Sequence, residues 1–196
     1  GRLPIGYKKE DFMPLVYKPA ENSLDVIKTE TQVGYAVSVF KTVELFSKKG
    51  AAIELLTSWL SEHSFWEKLR TVHGCYGAEA DYDEILNLVW FSTYRDPNPK
   101  DSFELFMQCI EEVRQNKLSN EEMECAIVSI YSNYVKPIAP GVHGVKALRR
   151  MFAGVSQDIV NEYVKGLLSL SADDIVEAAD LIAESCRKDK KAMPKG

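Results

Sequence analysis

Every strand signal in this chain lies before Pro97, and everything after it reads as helix. A doubly wound parallel sheet needs strands and helices in regular alternation, so this order excludes it. Strand, helix, hairpin and then a run of helices fits an α+β fold, an antiparallel sheet with helices packed on one face. The first strand is predicted over residues 32–40, where Val33, Tyr35, Val37 and Val39 alternate with Gly34, Ala36 and Ser38. A helix opens at Gly50, with Ile53, Leu56 and Leu60 in one apolar stripe shouldered by Trp59, and runs to about Leu69 with room for a break. Residues 73–80 read as a small-residue strand and residues 81–84 as a turn. Residues 85–94 read as the β-branched and aromatic partner strand of a hairpin.

The helical half carries its own punctuation. Phe103, Phe106, Ile110 and Val113 recur at helical spacing after an Asp101/Ser102 cap. Ser119 with Glu122 three residues on is a capping box, and its helix carries Met123, Ala126, Ile127, Ile130 and Tyr134 before Pro137 stops it. Pro140-Gly141-Val142-His143-Gly144 reads as a loop into a short helix with Leu148 and Phe152. Ser156 caps a helix bearing Val160, Tyr163 and Leu167. Ser171 with Asp174 caps the last, with Ile175, Ala178 and Ile182 inward.

The chain has 196 residues, 45% of them apolar, enough for one domain with a real core. Residues 1–30, rich in Pro, Lys and Tyr, read as a lead-in or interdomain linker, residues 31–187 as the α+β domain, and residues 188–196 as a basic tail. A net charge of −5, with the one clear basic run in that tail, argues against a nucleic-acid partner. No apolar run approaches the ~18 residues that span a bilayer, so no membrane partner is expected. No signal peptide opens the chain, and four cysteines without a CxxC pair point to reduced thiols and a protein that is not secreted. A start at Gly1 with no Met suggests a processed or excised fragment.

The chemistry that the residues permit is limited. His63, His73 and His143 form no HExxH or HxxEH pattern, so no metal site is expected and they read as unrelated histidines. His73 and Cys75, two apart on a presumed strand, would share a face, where the imidazole could lower the thiol pKa, but no third orienting group is evident. GxSxG, the P-loop and GxGxxG are all absent. What remains is Arg70 at a helix-to-strand junction and Tyr76 between Cys75 and Gly77, with glycines that admit a close backbone approach. A guanidinium and a phenol are both donors and together could stabilise a carbonyl oxygen gaining charge. The other reading is an Arg that caps helix carbonyls and a Tyr that packs.

Leu69-Arg70-Thr71-Val72-His73-Gly74-Cys75-Tyr76-Gly77, followed by Phe91-Ser92-Thr93-Tyr94-Arg95-Asp96-Pro97-Asn98, resembles the C-terminal domain of the presequence protease branch of the pitrilysin/insulinase zinc metallopeptidases. Thr31-Gln32-Val33-Gly34-Tyr35 is similar to that branch's Thr-Gln-Val-Asn-Tyr strand, and the resemblance covers about residues 25–187. The usual Gly-Gly-Ala before the Tyr is here His73-Gly74-Cys75. The resemblance implies the metallopeptidase domain fold of that family and a zinc metalloendopeptidase acting on unfolded peptides. The zinc would be bound outside this chain, in an N-terminal catalytic half of the same polypeptide. By motif match Arg70 and Tyr76 would bind substrate and stabilise the oxyanion, with Gly74 and Gly77 lining the substrate. It also implies that the fragment alone is inactive, and a bacterial cytoplasm or an organellar matrix as its compartment. A non-catalytic structural subunit or a binding module with the same fold is the alternative.

Overall fold

The computed structural model of the chain describes Glu30, residues 32–42 and residues 46–192, with side chains as far as residue 186. The lead-in expected over residues 1–30 lies, apart from Glu30, outside the described residues, as do the last four residues of the basic tail. Three strands, β1 (Val37–Lys41), β2 (Gly77–Asp83) and β3 (Leu88–Tyr94), make an antiparallel sheet in the order β1-β3-β2. Six α-helices are described: α1 (Lys48–Glu62), α2 (Pro99–Gln115), α3 (Asn120–Val135), α4 (Pro140–Phe152), α5 (Gln157–Leu168) and α6 (Ala172–Ala192). A π-helical turn, Trp66–Val72, links α1 towards β2. α1 packs on β2, α2 on β3 and α6 on β1, so one face of the sheet carries the helices.

α1 is buried on more than the one stripe that its sequence advertises. Ala51, Ala52 and Leu55 are as buried as Ile53, Leu56 and Leu60. Small residues let α3, α5 and α6 close around the helix while its other side lies on β2. The centre of the core is aromatic: Phe65 and Phe106 each meet Phe91 of β3, with ring centroids 5.4 and 5.5 Å apart. Ser119 and Glu122 form the reciprocal capping box, and Ser156 caps α5.

Five expectations need correction. The cap expected at Asp101/Ser102 lies inside α2, which starts at Pro99 behind Asn98. The strand expected over residues 73–80 starts only at Gly77, because the π-helical turn runs on to Val72 and Gly74 turns the chain with φ of +91°. The hairpin turn falls at residues 84–87 rather than 81–84. The Asp83 carboxylate accepts from the amides of Ile85 and Leu86, both at 2.9 Å, and Asn87 takes φ of +56°, so two apolar residues sit in a turn. Pro140 to Gly144 is not a loop but the start of α4, with Pro140 in the first turn where a missing N–H costs nothing. The first strand is shorter than residues 32–40: ahead of β1, Gly34 makes a single bridge to Asp96. Ala36 and Phe40 are the residues it turns into the core, while Tyr35, Val37 and Val39 are all more than half exposed.

Candidate functional site

The wide turn of the π-helix places Trp66 and Arg70 almost in line, and the Arg70 guanidinium lies 3.9 Å from the centroid of the indole. Both side chains are exposed. The turn ends when the His73 amide bonds Lys68 O at 2.9 Å and the Cys75 amide bonds Leu69 O at 3.0 Å. Gly74 supplies the left-handed conformation between them. A side chain there would be strained by the backbone rather than by crowding, since the nearest atom to an added Cβ is Pro97 Cγ at 3.8 Å.

Tyr76 follows, 64% exposed, just before β2. Its ring packs edge-on against Tyr94 at 5.8 Å, and Tyr94 packs in the same way on Tyr35 at 5.4 Å. The Arg95 guanidinium lies 5.6 Å from the Tyr76 ring and 5.5 Å from the Tyr94 ring. Arg95 itself holds φ of +50°, an uncommon conformation for a residue with a side chain, and its carbonyl accepts the Tyr76 amide at 3.4 Å. The structure therefore brings Tyr76 together with Arg95, whereas Arg70 stacks on Trp66 and forms no hydrogen bond to Tyr76. Sequence reasoning named Tyr94 and Arg95 only as part of a motif and gave them no role. Gly77 pairs with Tyr94 at the open end of the β2–β3 ladder.

Behind this surface lies Asp96, fully buried. Its Oδ2 accepts from Thr93 Oγ1 at 2.6 Å and Ser102 Oγ at 2.5 Å, and its Oδ1 accepts from the Asn98 amide at 2.9 Å. His73 Nε2 is 3.3 Å from Oδ1, and the Cys75 thiol also hydrogen-bonds this carboxylate. Burial works to raise the Asp96 pKa, but these donors outweigh it and hold the carboxyl below the usual carboxylate range. Burial, and then Asp96, push Cys75 the other way, up to about 11. The thiol thus faces a carboxylate as well as the imidazole, and burial with that charge raises its pKa where the imidazole alone would lower it. His73 and Cys75 do not meet by strand alternation; the Gly74 turn joins them. His63 stacks on Trp59 and His143 lies in α4, so the three histidines do not converge.

The fold is shared with solved protease structures. It superposes on a protease from Helicobacter pylori with a TM-score of 0.65 at 14% identity, covering 78% of this chain and 39% of that one. It also superposes on a peptidase inactive domain from Pseudomonas fluorescens with a TM-score of 0.57 at 12% identity, covering 77% and 37%. The family model of the PreP C-terminal domain matches residues 22–193, and the chain belongs to that family. The mitochondrial presequence protease of Saccharomyces cerevisiae is 27% identical over 91% of this chain, and an uncharacterised protein of Borreliella burgdorferi is 22% identical over 84%. The chain spans 18% and 17% of the lengths of those two relatives. Among the described residues, no helix is long and apolar enough to cross a membrane.

Proposed function

We propose that this chain is the substrate-facing C-terminal domain of a zinc metalloendopeptidase that degrades unfolded peptides, and that it closes a chamber whose other wall is the N-terminal half of the same polypeptide. The observation that carries this reading is an exposed phenol, Tyr76, beside the Arg95 guanidinium at the start of β2, with Arg70 exposed on the π-helical turn that precedes it. Donors of this kind suit an oxygen on which negative charge develops. The peptide bond would be attacked by water activated at a zinc ion held outside this chain, since HxxEH is absent here. Tyr76 and Arg70 donate to the scissile carbonyl, and Gly74 and Gly77 leave the backbone open to the substrate. Arg95 holds the Tyr76 ring and adds positive potential. To reach a substrate, Arg70 gives up its stack on Trp66, which at an exposed site stabilises by about 0.5–1 kcal/mol. No nucleic-acid or membrane partner enters this reading. Relatives called mitochondrial support an organellar matrix, with the bacterial cytoplasm as the equivalent compartment.

The stack of Arg70 on Trp66 favours a second reading, a structural subunit in which that arginine only packs. The two are separated in the full-length parent protein. Tyr76→Phe and Arg70→Ala each lower turnover of an unstructured peptide by ~10²-fold, the typical loss of one oxyanion donor. Unchanged kcat in both variants removes these residues from the mechanism and leaves the structural reading.

A further inference from the structure

A ring nitrogen of His73, Cys75 Sγ and a carboxylate oxygen of Asp96 lie within 4.8 Å of one another. We propose that these three groups form a binding site for a thiophilic divalent cation of the zinc class, distinct from any catalytic metal. The sequence reading expected no metal on this chain. It missed the site because Asp96, the third member, is far from the His73-Gly74-Cys75 segment in sequence and is delivered by the end of β3.

Ligand type, spacing, support and access all fit. Thiolate, imidazole and carboxylate are the ligand set of zinc-like ions, Cys75 giving up its thiol proton to solvent as the cation binds, and in tetrahedral sites with bonds of about 2.0–2.3 Å the ligand atoms stand roughly 3.3–3.7 Å apart. His73 Nε2 and Asp96 Oδ1 are already 3.3 Å apart. The outer limit of 4.8 Å leaves about 1 Å of closure, within reach of side-chain rotation. A working metal site also needs its ligands held from behind. Thr93 and Ser102 fix Asp96 Oδ2, the Asn98 amide orients Oδ1, and amide bonds to the π-helical turn fix the backbone at His73 and Cys75. The Asn98 carbonyl accepts from His73 Nε2 at 3.2 Å, so ligation through Nε2 requires the imidazole proton to sit on Nδ1 and breaks this bond. Cys75 and Asp96 are buried while the His73 side chain is 15% exposed, so an ion enters past the imidazole.

The site stands independently of the proteolytic reading, although Tyr76 follows Cys75 directly and occupancy would stiffen its approach. The test is titration of the reduced 196-residue chain with Co²⁺ and then Cd²⁺. One equivalent is expected to bind, with a thiolate-to-metal charge-transfer band. Cys75→Ser, which is nearly isosteric, abolishes the band. His73→Asn weakens Cd²⁺ binding by more than about 10-fold, the least that disturbing even an outer-shell partner costs. Circular dichroism and urea midpoints check that both variants fold. X-ray absorption on the Co²⁺-loaded wild-type chain needs no variant and is expected to show one sulfur scatterer with nitrogen and oxygen. A shell of nitrogen and oxygen alone, a band that survives Cys75→Ser, or no stoichiometric binding overturns the site and leaves Asp96 as a hydrogen-bond hub only.

Discussion

Asp96→Ala removes the acceptor on which the end of β3, the start of α2 and the Cys75 segment converge. Two hydroxyls, from Thr93 and Ser102, and the Asn98 amide lose a partner at 2.5–2.9 Å, and the Cys75 thiol loses another. A hydrogen bond to a charged group contributes about 1.5–3 kcal/mol net, and stranding a buried donor costs about 1–3 kcal/mol. The cost of burying the carboxylate is recovered on its removal, but the depressed pKa of Asp96 shows that the donors outweigh that cost. A net loss of about 2–4 kcal/mol is therefore expected, since neutral donors are stranded but no charge is left buried. It reads out as a lowered urea midpoint at unchanged slope, followed by circular dichroism on the 196-residue chain. Asp96→Asn keeps the volume and one acceptor oxygen and should fall between wild type and Asp96→Ala. A loss below about 1 kcal/mol for Asp96→Ala would show that solvent or rearranged hydroxyls satisfy these donors, and the hub reasoning would fail.

Two further substitutions follow from the same kind of accounting. Glu54 accepts from Tyr163 at 2.7 Å and Tyr134 at 3.1 Å, yet burial, the largest influence, raises its pKa above 4.5. Stability from this group is therefore full below pH 4.5 and is lost as pH rises through its folded pKa. Glu54→Gln keeps an acceptor and removes that slope, so it should gain on wild type in urea midpoints as pH rises; parallel curves would refute this. Gly74→Ala should cost about 1–2 kcal/mol because the left-handed backbone penalises a side chain. Gly77→Ala, whose Cβ would meet Tyr94 Cβ at an ordinary 3.7 Å, should cost less than about 0.5 kcal/mol. Gly77→Ala in the full-length parent then reports substrate approach alone, as a fall in kcat/KM without a stability change.

Local chemistry made most of the helical half legible. The capping box at Ser119 and Glu122 and the Ser156 cap of α5 appear where short-range spacing puts them. The failures were also local, where residue type and backbone role disagree. Ile85 and Leu86 look like strand residues, but Asp83 and Asn87 set the turn around them. Gly141 and Gly144 look like loop residues, but Pro140 starts a helix that includes both. A motif, rather than any spacing argument, named Arg70, Gly74, Tyr76 and Gly77 as candidates. The grouping of Tyr76 with Arg95, and of Cys75 with Asp96, depends on β3 returning beside β2, and no spacing within either segment encodes that return.

The same limit explains the apolar alternation at the first strand. A period of two marks a strand but does not say which phase meets the core. Val39 is 52% exposed, opposite Trp90 on the outer face, whereas Phe40 is 8% exposed and packs on Phe91 at 5.5 Å. A strand with apolar residues in both phases behaves like one covered on both sides, yet the described residues cover only one. Stability of the 196-residue chain should therefore read the two phases very differently. Phe40→Ala should cost about 3–5 kcal/mol, the range for a buried aromatic, while Val39→Thr, with its side chain already half in water, should stay within about 0.5 kcal/mol. Paired urea titrations decide it. Equal losses would mean that the outer face is packed in solution by the chain itself, and the open face that presents Tyr35, Tyr94 and Tyr76 would not exist.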